Sequence, residues 1–225
     1  MFVRACVPGV KGSAAVTTIA TRSRENTRAR LLEAAAQVFA EVGLEGATVE
    51  VVCERAGFTR GAFYSNFASK DELFLTLAAS VGEARVNAVR ERVQQMTESG
   101  ALALDDPVSL VQQVMDSAGD DRLGVMLMSE IRIRALRDAE FGAAYLAGER
   151  EMVAGIARII TDIVDNECLA LRTDAEETAR LLMIVWEGMT VRGAMDGADD
   201  EQLRQTGSAE LGRLVSLLLE PVSPR

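Results

Sequence analysis

The sequence predicts an all-α chain built as two unequal helical modules, and three observations carry that reading. The four prolines stand at 8, 107, 221 and 224, leaving 9–106 and 108–220 open to uninterrupted helices. Apolar residues in those stretches recur at three- and four-residue spacing and almost nowhere alternate. Six of the ten aromatics (Phe39, Phe58, Phe63, Tyr64, Phe67 and Phe74) fall within 36 residues, as expected where a short module builds its own core from large side chains.

Taken in chain order, residues 1–24 read as a flexible leader, because Pro8, Gly9, Lys11 and Gly12 break any compact apolar stretch and argue against a signal peptide. A first helix near 25–43 sets Leu31, Ala35, Val38, Phe39 and Val42 on one stripe, and Gly43 supplies the stop. Thr48 caps a second helix over 48–56, whose Val49, Val52, Cys53 and Ala56 share a face. Gly57 and Phe58 make a tight turn, and Thr59 caps a third helix over 59–66, in which Phe63 and Phe67 at i and i+4 point to the core. Two short helices joined by a glycine turn form a helix-turn-helix, here 48–67. Ser69-x-x-Glu72 is a capping box opening 69–97, and Asp106 before Pro107 opens 107–118. Helices follow near 122–137 and 139–165; Thr173-x-x-Glu176 opens 174–195, and Asp199 caps 200–219. The expected division is a domain over 25–85 carrying the helix-turn-helix and a larger helical domain over 86–225.

Composition removes most catalytic chemistry. With no histidine there is no Ser-His, Cys-His or His-metal constellation, and neither a Walker motif nor Gly-x-Gly-x-x-Gly is present. The cysteines at 6, 53 and 168 are odd in number and lack C-x-x-C spacing, which argues against disulfides and zinc and for a reducing, cytoplasmic setting. Cys53 reads as a small core residue, and the Asp pairs at 105–106, 120–121 and 199–200 as helix starts. No catalytic residue, metal or cofactor is expected. No apolar run reaches the roughly 18–20 residues of a membrane span, so no membrane partner is expected either.

Charge is uneven. Residues 1–77 carry nine Lys or Arg against eight Asp or Glu, whereas 78–225 carry fifteen against twenty-six, so an anionic partner is expected at the N-terminal end. With Phe63 and Phe67 inward, a helical step of about 100° per residue puts Gly61, Ala62 and Ser65 opposite them, with Tyr64 on the flank. Such a small, polar face suits a helix lying deep in the DNA major groove. Arg60, at that helix's N-terminus, reaches a guanine edge or a phosphate. Thr48 and Thr59 offer hydroxyls and amides at helix N-termini, and Lys70, one of only two lysines, begins the next helix. On spacing alone the same residues also read as ordinary caps and a solvated turn.

The composite pattern over residues 25–77 resembles the TetR family of bacterial transcriptional regulators. It runs Arg30-Leu-Leu-x-Ala-Ala-x-x-Val-Phe39, Gly43, Thr48-Val49, Ala56-Gly57-Phe58-Thr59, then Phe63-Tyr64-x-x-Phe67-x-x-Lys70-x-x-Leu73. A chance helix-turn-helix would not also carry the Tyr-x-x-Phe-x-x-Lys ending. The resemblance implies DNA contacts at Thr48, Thr59, Arg60, Gly61, Tyr64, Asn66 and Lys70, with Tyr64 and Lys70 mainly on phosphates; Asn66 stands where many members carry His. Ser65 joins the set through the outward face. The resemblance further implies a non-enzymatic repressor, released from a palindromic double-stranded DNA operator by a small-molecule effector.

Beyond residue 77 the likeness is one of outline, a helical ligand-binding and dimerisation domain completing about nine helices. It implies a homodimer in which the last two helices pair across a two-fold, here through Leu181, Val185, Gly188, Met189, Leu211, Leu214 and Leu218, although that stripe equally fits an internal core. Met115, Met126, Met128, Met152, Met183 and Met189, with Phe141, Tyr145 and Trp186, could line a pocket for an apolar effector, with Met126, Phe141, Tyr145, Met152 and Trp186 as the candidates, although such a set at helical spacing is more often plain core. Glu130 and Glu187, among apolar neighbours, could pair with a cationic ligand but read rather as facing solvent or an arginine, and Arg132, Arg134 and Arg137 could hold an anionic effector but read rather as surface charges. The acidic, aromatic-poor larger domain favours a neutral or cationic apolar effector.

Overall fold

The computed structural model describes residues 13–101, 106–115, 121–167 and 169–220. Among them are nine helices and one isolated antiparallel bridge, Leu171 with Leu219. The chain divides into two compact units, Met1–Leu73 and Phe74–Arg225, earlier than the expected boundary at 85–86. Cys6, Cys168 and the tail of the helix predicted over 107–118 lie outside the described residues.

In the first unit, α1 (Ser13–Gly46) begins ahead of residue 25 and takes residues 13–24, expected as a flexible leader, into the helix. The expected stop is real but internal: Gly43 has φ 72 and ψ 178, a conformation that costs glycine no Cβ clash, and a last turn follows it. Leu31, Ala35, Val38 and Phe39 are buried. Val42, placed on the same stripe by its spacing, is instead exposed, at the last position before the Gly43 break. Helix α2 (Val49–Ala56) starts at Thr48, whose Oγ1 accepts from the Val51 amide, and ends at Gly57 in the left-handed region. Helix α3 (Arg60–Tyr64) is capped by Thr59 through the Ala62 amide at 3.2 Å. It is shorter than predicted because the amides of Asn66 and Phe67 both turn back onto the Phe63 carbonyl.

Three arginines tie α1 to the helix-turn-helix. Arg30 donates to the Ala56 carbonyl at 3.0 Å with its guanidinium over the Phe58 ring. Arg28 lies 4.0 Å over the Phe67 ring and donates to the Asn66 carbonyl. Arg55 pairs with Glu41. Arg28 and Arg30 were counted above among the charges awaiting an anion; they hold this unit together instead.

Helix α4 (Lys70–Glu98) contains the division between the units. The second unit continues with α5 (Pro107–Met115), α6 (Arg122–Arg137), α7 (Ala139–Glu167), α8 (Ala175–Met195) and α9 (Asp200–Leu218). Helix α9 packs on α5 and α8, and α7 on α6 and α8. Met115, Trp186 and Leu211 form one core cluster, and Leu203, Val125 and Ala194 another. Gly207 and Gly212 permit those approaches: a Cβ at Gly207 would stand 2.7 Å from the Trp186 ring, and one at Gly212 would stand 2.6 Å from the Val108 backbone. Helix starts follow the expected chemistry, with one shift. Asp174, not Thr173, caps α8, its Oδ1 accepting from Glu177 at 2.7 Å. A carboxylate at that position also complements the positive end of the helix. Asp199 and Gln202 form a complete capping box on α9. None of the described helices is long and apolar enough to cross a membrane.

Candidate functional site

Helix α3 presents a working face because its opposite face is fixed. Phe63 and Phe67 are fully buried, with ring centroids 5.8 Å apart. Tyr64 meets the Phe63 ring edge-on at 5.3 Å yet remains 50% exposed. With these anchors set, Thr48, Thr59, Arg60, Gly61, Tyr64 and Ser65 all lie exposed around the helix-turn-helix. The Ser65 hydroxyl donates to the Gly61 carbonyl at 2.8 Å, so its remaining capacity is mainly as an acceptor.

Two of the predicted contact residues carry structural roles. Asn66 is buried, its Nδ2 donating to the Ala62 carbonyl at 2.8 Å, which takes the side chain out of a DNA-facing position. Lys70 is half-buried, and its Nζ donates to the Leu44 carbonyl at 2.7 Å. That bond ties the start of α4 to the turn after the Gly43 break, so Lys70 serves the fold as well as any anion it meets.

One residue of this face escaped the sequence reading. Glu50, exposed in the first turn of α2, pairs with Arg60 at 2.8 Å. Arg60 also lies over the Tyr64 ring at 5.9 Å, and Tyr64 first, then Glu50, push its guanidinium pKa up. The visible signal is an acid two residues after Thr48 in a segment otherwise suited to an anion. Cys53 lies buried behind this face, and burial first, then Glu50, pushes its thiol pKa up, against nucleophilic reactivity.

The second unit encloses an apolar cavity of about 250 Å³. Tyr145, Met152 and Trp186, all expected as effector residues, line it. Met126 and Phe141 do not: Met126 is 49% exposed, and Phe141 is packed away beneath the Arg134 guanidinium. Met128, two positions from Met126 and so turned well round the helix, takes the wall position. The sequence reading also missed Arg85 and read Arg132 as a surface charge; both line this cavity. Arg132 Nε lies 3.0 Å from Glu187 and donates to the Tyr145 hydroxyl at 3.1 Å. Burial, and secondarily Arg132, push the Arg85 guanidinium down to about 10. A wider cavity of about 610 Å³ shares Gly82, Val86, Tyr145, Glu149 and Met152 with the first.

The predicted dimer stripe divides in two. Leu211 is buried in the unit's own core with Met115 and Trp186, so it is not available to a second copy. Leu218 lines the cavity. The exposed apolar surface of α8 and α9 comes instead from Ile184 at 59%, Leu217 at 71% and Met195, with Gly188 exposed between them.

Comparison with known proteins meets this geometry in both units. Residues 31–77 match the model of bacterial regulatory proteins of the tetR family. The HTH-type transcriptional repressor AcnR of Corynebacterium efficiens is 49% identical over 53 residues, 24% of this chain and only 28% of that repressor's length. The repressor SCO4008 of Streptomyces coelicolor is 27% identical over 168 residues, covering 74% of this chain and 78% of its own. Among solved structures, a TetR-family regulator from Mesorhizobium loti superimposes with a TM-score of 0.67 at 18% identity, covering 88% of this chain and 98% of its own. SmeT, the repressor of a Stenotrophomonas maltophilia multidrug efflux pump, superimposes with a TM-score of 0.57 at 23% identity, covering 87% and 91%.

Proposed function

We propose that this chain, whose residues 31–77 match the tetR family of bacterial regulatory proteins, is a dimeric, sequence-specific DNA-binding repressor of that family whose inner cavity receives a small-molecule effector. The observation that carries the DNA reading is the exposed set Thr59, Arg60, Gly61 and Tyr64 on a helix locked from behind by Phe63 and Phe67. Small groups at Gly61 and Ser65 let the helix enter the major groove, Arg60 reads a base edge, and Thr48, Thr59 and Tyr64 meet phosphates.

A second copy completes the reader. Leu181, Ile184 and Gly188 follow one another on one side of α8 at i, i+3 and i+7, beside Leu217 on α9, and pair with their symmetry mates across a two-fold. Two recognition helices so related read a pseudo-palindrome with half-sites about one helical turn apart, roughly 34–36 Å. Helix α4 carries Lys70 at its start and Gly82, Arg85 and Val86 of the cavity wall further along, so a ligand that resets α4 alters the DNA-binding end. Induction requires the effector to prefer the conformation that cannot span both half-sites; coupling of about 1–3 kcal/mol lowers operator affinity roughly 5- to 150-fold.

The test is to sequence genomic fragments retained by the purified full chain. An enriched pseudo-palindrome, bound less well after Arg60→Ala, is expected. Retention without sequence preference, or preference unaltered by Arg60→Ala, overturns the assignment.

A further inference from the structure

Resting on the reading of the inner cavity as the effector site, we propose that the effector is an amphipathic organic anion, its apolar body along the cavity and a carboxylate or equivalent oxyanion held by Arg85 and Arg132. The body of the site is hydrocarbon: Val81, Val86, Ile156, Ile160, Met128 and Leu182 stand among its walls. Its charged groups and a phenol come from four helices. Arg85 is on α4, Arg132 on α6, Tyr145 and Glu149 on α7, and Glu187 on α8.

The contacts among these groups favour an anion. Arg132 meets both Glu187 and Tyr145 through Nε, so an oxyanion arriving at the outer guanidinium nitrogens need displace neither. Glu187 is thereby partly neutralised. Arg85 and Arg132 repel one another, and burial acts on Arg85 in the same direction as that repulsion. An anion between the two guanidiniums relieves both effects, whereas a cation would have to settle by Glu149 against two arginines. Tyr145 adds a hydroxyl beside Arg132. Thr178 lines the same cavity, and its buried Oγ1 has no hydrogen-bond partner among the described residues, a group that a bound molecule can satisfy. A volume of about 250 Å³ lies near the lower end of small-molecule sites, roughly 300–1,000 Å³, which limits the body to a short chain or a single ring. This differs from the expectation drawn from composition, a neutral or cationic ligand: of the acidic groups of this unit Glu149 and Glu187 line the cavity, Glu187 already beside Arg132, and two arginines face it.

Trp186, the only tryptophan of the chain, lines the cavity and reports on it directly. The full chain is titrated with octanoate, 1-octanol and octylammonium, which share one apolar body, while Trp186 fluorescence and operator retention are followed. Octanoate should saturate the fluorescence change at least tenfold more tightly than octanol, and octylammonium should give no saturable change. R85Q should weaken octanoate at least tenfold while leaving octanol unchanged, which also shows that the cavity is intact, and R85K should keep most of the preference. Octylammonium binding as tightly as octanoate, or R85Q weakening octanoate and octanol alike, overturns the proposal. Octanoate saturating Trp186 with the expected selectivity but leaving operator retention unchanged leaves the anion seat standing and defeats the effector reading.

Discussion

Glu50 offers the sharpest test of the proposed DNA-binding face, because the structure places a negative charge where the proposed partner is a polyanion. Its carboxylate lies 2.8 Å from Arg60, and both side chains are mostly exposed. In that state the pair contributes no net charge toward DNA. Glu50→Gln keeps the size and polarity but leaves Arg60 as an uncompensated cation. The log-log salt dependence of binding should therefore steepen by about 0.9, as for one added phosphate contact. Between 50 and 200 mM salt, that slope makes the variant's advantage over the native chain shrink by roughly 3.5-fold. Stability should move slightly the other way, since the substitution removes an exposed, solvent-screened ion pair. Fluorescence anisotropy on operator and random duplexes across that salt range measures the first effect, and chemical denaturation the second. Adding Arg60→Ala to Glu50→Gln should abolish the gain. Parallel salt slopes for the native chain and Glu50→Gln, or weaker DNA binding by the variant, would show that Arg60 does not face the phosphates or the groove.

Three further outcomes follow from particular contacts. Lys70→Ala should weaken operator and random DNA alike and also lower the melting temperature, because Nζ holds the Leu44 carbonyl; Tyr64→Phe, which removes only an exposed hydroxyl, should weaken DNA without altering melting. Ile184→Glu with Leu217→Glu should give monomers by light scattering, whereas Leu211→Ala should leave the dimer assembled but cost about 2–5 kcal/mol of stability through a core cavity. Arg85→Met should raise the melting temperature of the ligand-free protein at pH 7, since burial pushes this guanidinium down to about 10 and so penalises folding below that pH; the advantage should fade as pH rises above about 10, where the native chain sheds that proton on folding.

Much of the first unit could be read from the sequence because its signals are local. A cap at Thr59, a left-handed glycine at Gly57 and the i, i+4 pair Phe63 and Phe67 each act within a few residues, and together they orient the outward face of α3. Two structural roles in this unit went unread, each involving a partner distant in sequence. Asn66 sits on the expected segment, but Arg28, from α1, holds its carbonyl and its side chain folds back onto Ala62. Lys70 is drawn by a carbonyl 26 residues earlier. In the second unit almost every functional question is of this long-range kind. A methionine at 126 and one at 128 are alike in composition, and only the rotation of α6 against its neighbours sends the second to the cavity and the first to solvent. Leu211 and Leu217 both belong to an apolar run in α9, yet Trp186 packing over Gly207 fixes which face turns inward, burying Leu211 and exposing Leu217. Charge misleads for the same reason: the net count over 78–225 is acidic, but a ligand senses the few groups around its own cavity. Arg85 and Arg132 reach that cavity from α4 and α6, at a separation of 47 residues that no periodicity links. The fold class therefore follows from period and punctuation, while the identity of the ligand rests on which helix faces meet.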